Sequence, residues 1–379
     1  MTLTPAEQVS DDAQAVRAAI TAARSSLVER ELIAEVVALC AVAGEHLLVV
    51  GPPGTAKSAA VRAAATQLGG AYFEYLIGRF TEPNEIFGPV DLRRLRDGVM
   101  AYETAGMLPT AEIAFLDEVF TGSTAILNTL LGLLNERVFR RGATEVASPL
   151  RVCVGAANTL PDDPALLAFA DRFLARLYVR PVSDAGLEEL LERGWGGSDA
   201  PLGPGVMAAV DRLASAARRC ELGPVRPLLA TALRRLREAG IGLSDRRAVR
   251  VQRLVAAAAV LDGRQAAGPA ELWVLPLAAP TEQDQERARQ VLADLLASSV
   301  SGTLGHAAEE YSRGPLARAE RLAAAGRRLL VQLDGAAPTR DDRLRLEATL
   351  REIDAGFAAD DLPEQLRDVR GRLVDLVAP

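Results

Sequence analysis

The chain has 379 residues, a formal net charge of −7, and a composition 49% hydrophobic and 25% charged, ordinary for a soluble globular protein of two or three domains. The acidic balance argues against a nucleic-acid binder driven by phosphate attraction, while leaving room for a local basic patch. No apolar run reaches the length of a membrane span, because Glu35, Glu45 and His46 break the stretch from Leu32 to Val50. The opening "MTLTPAEQVSDD" lacks the basic-then-apolar pattern of a signal peptide. Cys40, Cys153 and Cys220 have no paired spacing and read as reduced, buried, structural thiols of a cytoplasmic protein. With only His46 and His306, a histidine-based metal site is not expected.

Along residues 11–43, Val16, Ile20, Leu27, Leu32, Val36 and Leu39 recur at helical spacing. "HLLVV" then reads as a buried strand, "GPPGTAKS" as a glycine-rich turn, and the residues to about Leu68 as a helix. "AYFEYLIG" is a second strand. In "DLRRLRDGVMAYET", Asp97-Gly98 between two short runs predicts a hairpin. "EIAFLDEV" is a third strand, "AILNTLLGLLNER" a helix, "VFRRGATEVASP" a second hairpin, and "LRVCVGAAN" and "LARLYVRPV" the fourth and fifth strands. Strands alternating with helices predict a doubly wound parallel α/β sheet. After Pro181 the pattern changes: "GWGGSDAPLGPG" reads as a linker and Val206 to Leu277 as helices only. From 281 the chain is charged and helical, with breaks near Gly302, Gly335 to Pro338 and Gly356, predicting three long helices.

The turn after the first strand holds the only lysine of the chain, Lys57, every other Lys+Arg residue being arginine. Codon drift in an arginine-rich chain would leave a lysine anywhere. A strand, a glycine-rich turn and Lys-Ser opening a helix instead form a phosphate-binding loop. In it Gly51, Pro52, Pro53, Gly54, Thr55, Ala56, Lys57 and Ser58 surround the phosphates of ATP. Lys57 supplies a compact ammonium where a guanidinium would not serve, and Ser58 a hydroxyl for Mg²⁺. Ala56 stands where the strict pattern has glycine. Lys57 is expected to contribute little packing, so its removal should spare the fold.

Asp117 and Glu118 end the apolar strand "EIAFL", at the edge where α/β sheets bind ligands. Asp117 would hold the Mg²⁺ shell and Glu118 would orient or deprotonate the attacking water. Without a phosphate loop the pair would read as a solvated acidic turn. Asn158, ending the fourth strand, suits a water-holding role near the γ-phosphate equally with a turn-forming role. Arg172, Arg246 and Arg247 carry no signal alone in an arginine-rich chain, though Ser244 is placed to cap a helix beginning at "DRR".

Together, "LLVVGPPGTAKS", "FEYLIGRFTEPNEIFGPVDL", "AFLDEV", "AILNTLLGLLNERVFRRG", "AANTLP" and "DRFLARL" resemble the MoxR family of AAA+ ATPases, especially its RavA-like branch, over about residues 20–265. The resemblance implies a P-loop αβα core (1–182), an all-α lid (183–280) and a helical C-terminal arm (281–379). It implies Asn158 as sensor 1, Arg172 as an arginine finger acting on a neighbour's ATP, and Arg246 as sensor 2. The two hairpins resemble inserts facing the pore or axial surface of a ring. It further implies a cytoplasmic homo-oligomer, a hexamer, remodelling a protein client together with a von Willebrand factor A partner. The tail departs from RavA-like proteins in having no β-pattern long enough for a small β-domain. Two other functions share this core. One is a nucleic-acid motor using Arg93, Arg94, Arg96, Arg140 and Arg141. The other is a nucleotide-gated scaffold with incidental turnover.

Overall fold

The computed structural model describes residues 4–183, 186–196, 205–333, 339–357 and 362–377. Five strands, β1 (Leu47–Val50), β2 (Tyr72–Leu76), β3 (Ile113–Asp117), β6 (Val152–Ala157) and β7 (Ala175–Tyr178), form one sheet in the order β2-β3-β6-β1-β7. Every pairing in it is parallel. All residues of β1 and β6 are buried, as expected of central strands covered on both faces, and this is why they read as unbroken apolar runs. The strands between, β4 (Val138–Arg141) and β5 (Thr144–Ala147), form the expected antiparallel hairpin.

The other expected hairpin is absent. Asp91 accepts hydrogen bonds from the Arg93 and Arg94 backbone N–H groups at Oδ1, 2.9 and 3.2 Å, and so caps a helical turn, Leu92–Arg96. Gly98 closes that turn at φ 76°, a conformation glycine adopts without strain. Only one antiparallel bridge, Val90 with Tyr102, remains of the pairing. A local side-chain cap has outcompeted the extended conformation.

The helical spacing of residues 11–43 divides into two helices, Pro5–Arg24 and Glu31–Ala43. Thr4 and Glu7 form a capping box at the start of the first. The region after β7 is helical as expected, with Met207–Ala217, Arg226–Glu238 and Asp245–Leu261 as its main helices. Most of the linker "GWGGSDAPLGPG" lies outside the described residues. Ser244 caps the third helix, accepting from Arg247 N at 3.3 Å. Leu254 through Leu261 are all buried, because this helix runs between the amino-terminal helices and the segment around Trp273. Cys40 and Cys153 are buried, whereas Cys220 is half-buried.

The carboxyl-terminal hundred residues divide in two. Helices Glu282–Val291 and Gly305–Arg313, with the flanking Leu292 and Leu304, contribute Ala288, Ala307, Ala308 and Tyr311 to the main core. Glu35, fully buried, accepts from Ala307 N at 2.8 Å and from His306 Nδ1 at 3.0 Å, and Arg24 donates to it at 3.2 Å. The expectation of three long helices from 281 is corrected: the helices up to Arg313 belong to the main core, and three long helices follow only from Pro315, as Pro315–Leu333, Arg340–Gly356 and Glu364–Val377. They bury a separate cluster that includes Leu322, Leu346, Ile353, Leu366 and Leu373.

Arg247 joins the helical region to the sheet. Its buried guanidinium donates to the carbonyls of Phe173 (3.1 Å), Leu174 (2.7 Å) and Ala278 (2.8 Å) and to Asp171 at 3.2 Å. Burial pushes it down to about 10, helped by Arg176 and opposed by Asp171. Replacing it orphans several buried carbonyls at once. Arg247→Met should therefore lose about 3 kcal/mol of stability, read as a lower urea midpoint at unchanged slope.

Candidate functional site

Three parallel strands deliver the expected nucleotide residues to one edge. The loop 51–56 leaves the carboxyl end of β1, Asn158 follows β6 beside it, and Asp117 ends β3 one strand further on. Gly51 N donates to Ala157 O at 3.1 Å. A Cβ on Gly51 would lie 2.3 Å from Val179 O, so only glycine permits the loop to start so close to the exit of β7. Thr55 Oγ1 donates to Pro52 O at 2.8 Å and closes the loop on itself.

Lys57 opens the helix Lys57–Leu68. Its Nζ donates to Gly51 O (2.7 Å) and Pro52 O (3.0 Å), across the loop. Burial pushes the ammonium down from its ordinary value, opposed by the carboxylates of Asp117 and Glu118. The residue is only 7% exposed, which corrects the expectation that it contributes little packing: its ammonium is bound by the loop's own carbonyls. Ser58, next on the helix, is half-buried.

Ala56 has φ 57° and ψ 27°, the left-handed conformation. That is the physical sense of the glycine in the strict pattern, and here alanine adopts it against its preference. Glu118 is likewise left-handed, at φ 51°, with its N–H donating to Asp117 Oδ1 at 3.0 Å. Backbone strain of this kind gathers where a side chain must be aimed. Asn158 Nδ2 donates to Glu118 Oε1 at 2.7 Å, so the amide pins one carboxylate oxygen and leaves the other open. The edge thus carries the Lys57 ammonium, a glycine-containing loop opening a helix, the Ser58 hydroxyl and two carboxylates. That donor set fits the phosphates and divalent cation of a nucleotide.

Arg172 and Arg246 are not part of this edge. Arg172 precedes β7, and Ala175 pairs in register with Leu47, so Arg172 sits at the amino end of the sheet. It is separated from the phosphate loop by β1 itself, about 13 Å at the usual rise of a strand. Its Nε is buried without a hydrogen-bond partner. Arg246 hydrogen-bonds Asn135 Oδ1, and burial, then the nearby Arg250 and Arg172, push it down from its ordinary value. Behind it the fully buried Glu45 pairs with Arg250 at 3.4 Å and Arg253 at 3.0 Å, securing the helix that carries Arg246. The molecule therefore has a phosphate edge and a separate arginine edge. Arg30, which braces the phosphate edge, has no signal in an arginine-rich sequence, and Glu45, which braces the other, shows only as a break in an apolar run.

The chain matches the model of the MoxR domain in the MoxR-vWA-beta-propeller ternary systems over residues 14–214. Two Methanocaldococcus jannaschii proteins, MJ0812 and MJ0079, are each 36% identical over 256 residues; this chain spans about two thirds of the length of each, and the match covers 66% of this chain. A structural protein of Acidianus two-tailed virus, ORF618, is 32% identical over 142 residues, 36% of this chain and 23% of the viral protein. A solved structure of a candidate ATPase from Cytophaga hutchinsonii superposes with TM-score 0.63 at 15% identity, covering 78% of this chain and 97% of that one. That last likeness concerns the fold.

Ala56→Gly should raise stability by about 0.5–1 kcal/mol, the relief of left-handed strain exceeding the added chain entropy of glycine. A higher melting temperature in the absence of nucleotide checks it.

Proposed function

The chain belongs to the MoxR family of AAA+ ATPases, and from that membership we propose that it hydrolyses ATP in a ring whose every site is completed by the next subunit. The observation that carries this reading is the separation of the two edges. Lys57, Asp117, Glu118 and Asn158 share one edge of the sheet, and Arg172 and Arg246 share the other. An arginine a strand's length away does not serve its own phosphate loop. A heterologous contact that sets the arginine edge of one copy against the phosphate edge of the next closes into a ring, for which we take the hexamer.

The geometry supports the following roles. Loop N–H groups and Lys57 bind the phosphates. A Mg²⁺ ion, held by Ser58 and Asp117, would neutralise charge on the β- and γ-phosphates. Glu118 orients and accepts a proton from water through the oxygen that Asn158 leaves open. Arg172 of the neighbour, with Arg246 beside it, meets the developing charge on the transferred phosphoryl group.

The same reading extends to a protein client. The matched model describes systems pairing a MoxR domain with a vWA protein, which supports a vWA partner, and the motif order supports the RavA-like branch. On the segment 91–104 expected as an insert, Leu92, Leu95 and Met100 are exposed, as a protein-binding surface requires. Arg140 is paired with Glu136 and Glu145, and Arg141 packs on Tyr102 at 4.6 Å. That local engagement disfavours the nucleic-acid alternative. No described helix is long and apolar enough to cross a membrane, and the three free cysteines support a reducing, cytoplasmic setting.

Mixing two inactive variants tests the ring. Glu118→Gln destroys a subunit's own site but keeps its arginines; Arg172→Ala does the reverse. Each alone should be nearly inactive. In a one-to-one mixture about a quarter of random neighbour pairs join an intact site to an intact finger across the heterologous contact, so ATP turnover should recover to about that fraction. No recovery from two inactive variants would mean that Arg172 acts within its own chain, and an active Arg172→Ala alone would mean that it plays no part in turnover.

A further inference from the structure

Arg30 lies between the helices Pro5–Arg24 and Glu31–Ala43 and is 5% exposed. Its guanidinium is spent on backbone carbonyls. Nε donates to Thr55 O at 2.7 Å, Nη2 to Arg180 O at 2.8 Å and Nη1 to Glu29 O at 2.5 Å. One side chain therefore ties the phosphate loop to the exit of β7, beside which Gly51 also begins the loop.

The bond to Thr55 has a consequence for the next residue. In a trans peptide the carbonyl and the following N–H point in opposite directions, and no peptide bond among the described residues is cis. With Thr55 O drawn towards Arg30, the Ala56 N–H is turned the other way. Ala56 is also the loop residue held in the left-handed conformation without being glycine. A side-chain-bearing residue resists that conformation, so something outside the loop must hold it.

We propose that Arg30 is a positioning residue for the nucleotide, locking the Thr55–Ala56 peptide so that the Ala56 N–H faces the bound phosphate. This rests on the nucleotide-binding reading above. A rigid, forked cation suits this role because its planar donors reach Thr55 and Arg180 together, which the single ammonium of a lysine does not reproduce. Glycine at 56 would adopt the required conformation unaided, so the need for Arg30 is tied to alanine at that position.

The test is a double-mutant cycle on the full chain, read as the Kd of a fluorescent ADP analogue with Mg²⁺, with melting temperatures in parallel. Arg30→Met should weaken binding on the order of tenfold, the worth of one charge-assisted hydrogen bond, with Arg30→Lys in between. In an Ala56→Gly background the same loss should shrink to about twofold, the signature of coupled residues. Equal losses in the two backgrounds would overturn the proposal, since simple packing of two segments is additive. So would a lowered melting temperature with unchanged Kd. Should Arg30→Met fail to fold, the Arg30→Lys cycle decides by the same criteria. A wild-type protein that does not bind the analogue would overturn the nucleotide reading itself, an outcome distinct from a clamp that makes no difference.

Discussion

All strands of the central sheet run the same way, and that one constraint organises the molecule. A parallel sheet has chemically different ends. Turns leaving the carboxyl ends gather at one edge and turns entering the amino ends at the other. Here the first edge collects the phosphate loop, Asp117, Glu118 and Asn158, and the second collects Glu45, His46, Arg172 and the start of the Asp245–Leu261 helix. On the reading proposed above, neither group alone makes a complete hydrolytic site, and the polarity of the sheet is then the reason for subunits to assemble.

Burial of charge holds the second edge in shape. Glu45 is fully buried among Arg137, Arg250 and Arg253, and burial raises its pKa while those guanidiniums oppose the rise. His46, also buried, is pushed well below its ordinary value by burial and by Arg137, so it stays neutral. Its Nδ1 accepts from Cys153 N at 3.0 Å, linking the start of β1 to β6. Such a network contributes geometry more surely than net stability, because desolvation offsets much of the attraction. Glu35 plays the corresponding part at the other junction, joining the carboxyl-terminal helices to the helix that precedes β1.

Strain is concentrated at the first edge. Among the described residues, four without a glycine's freedom adopt positive φ: Glu29, Ala56, Glu118 and Arg137. Two of them are the loop residue before Lys57 and the carboxylate that would face water. A third, Glu29, adjoins Arg30, and its carboxylate accepts from Ser183 N at 2.8 Å. The surroundings, not local preference, determine these conformations.

The residues at the phosphate edge were legible in the sequence because each belongs to a short local pattern: a glycine-rich turn before Lys-Ser, a carboxylate pair closing an apolar strand, an asparagine closing another. Five strands and the hairpin Val138–Ala147 were legible for the same reason, since period and turn residues are local. The turn at Leu92–Arg96 was not, because the Asp91 cap competes with an extended pairing and sequence pattern does not rank the two. Arg30 and the burial of Lys57 were invisible, since one more arginine is unremarked in a chain with 43 Lys+Arg residues, and Glu45 showed only as a break in an apolar run, with no hint of its partners. By itself the sequence determined which residues are candidates for the chemistry and which elements carry them. Only the tertiary structure decided that Arg172 and Arg246 stand at the far end of the sheet from Lys57, because distance across a parallel sheet depends on strand order and direction, which no local pattern contains.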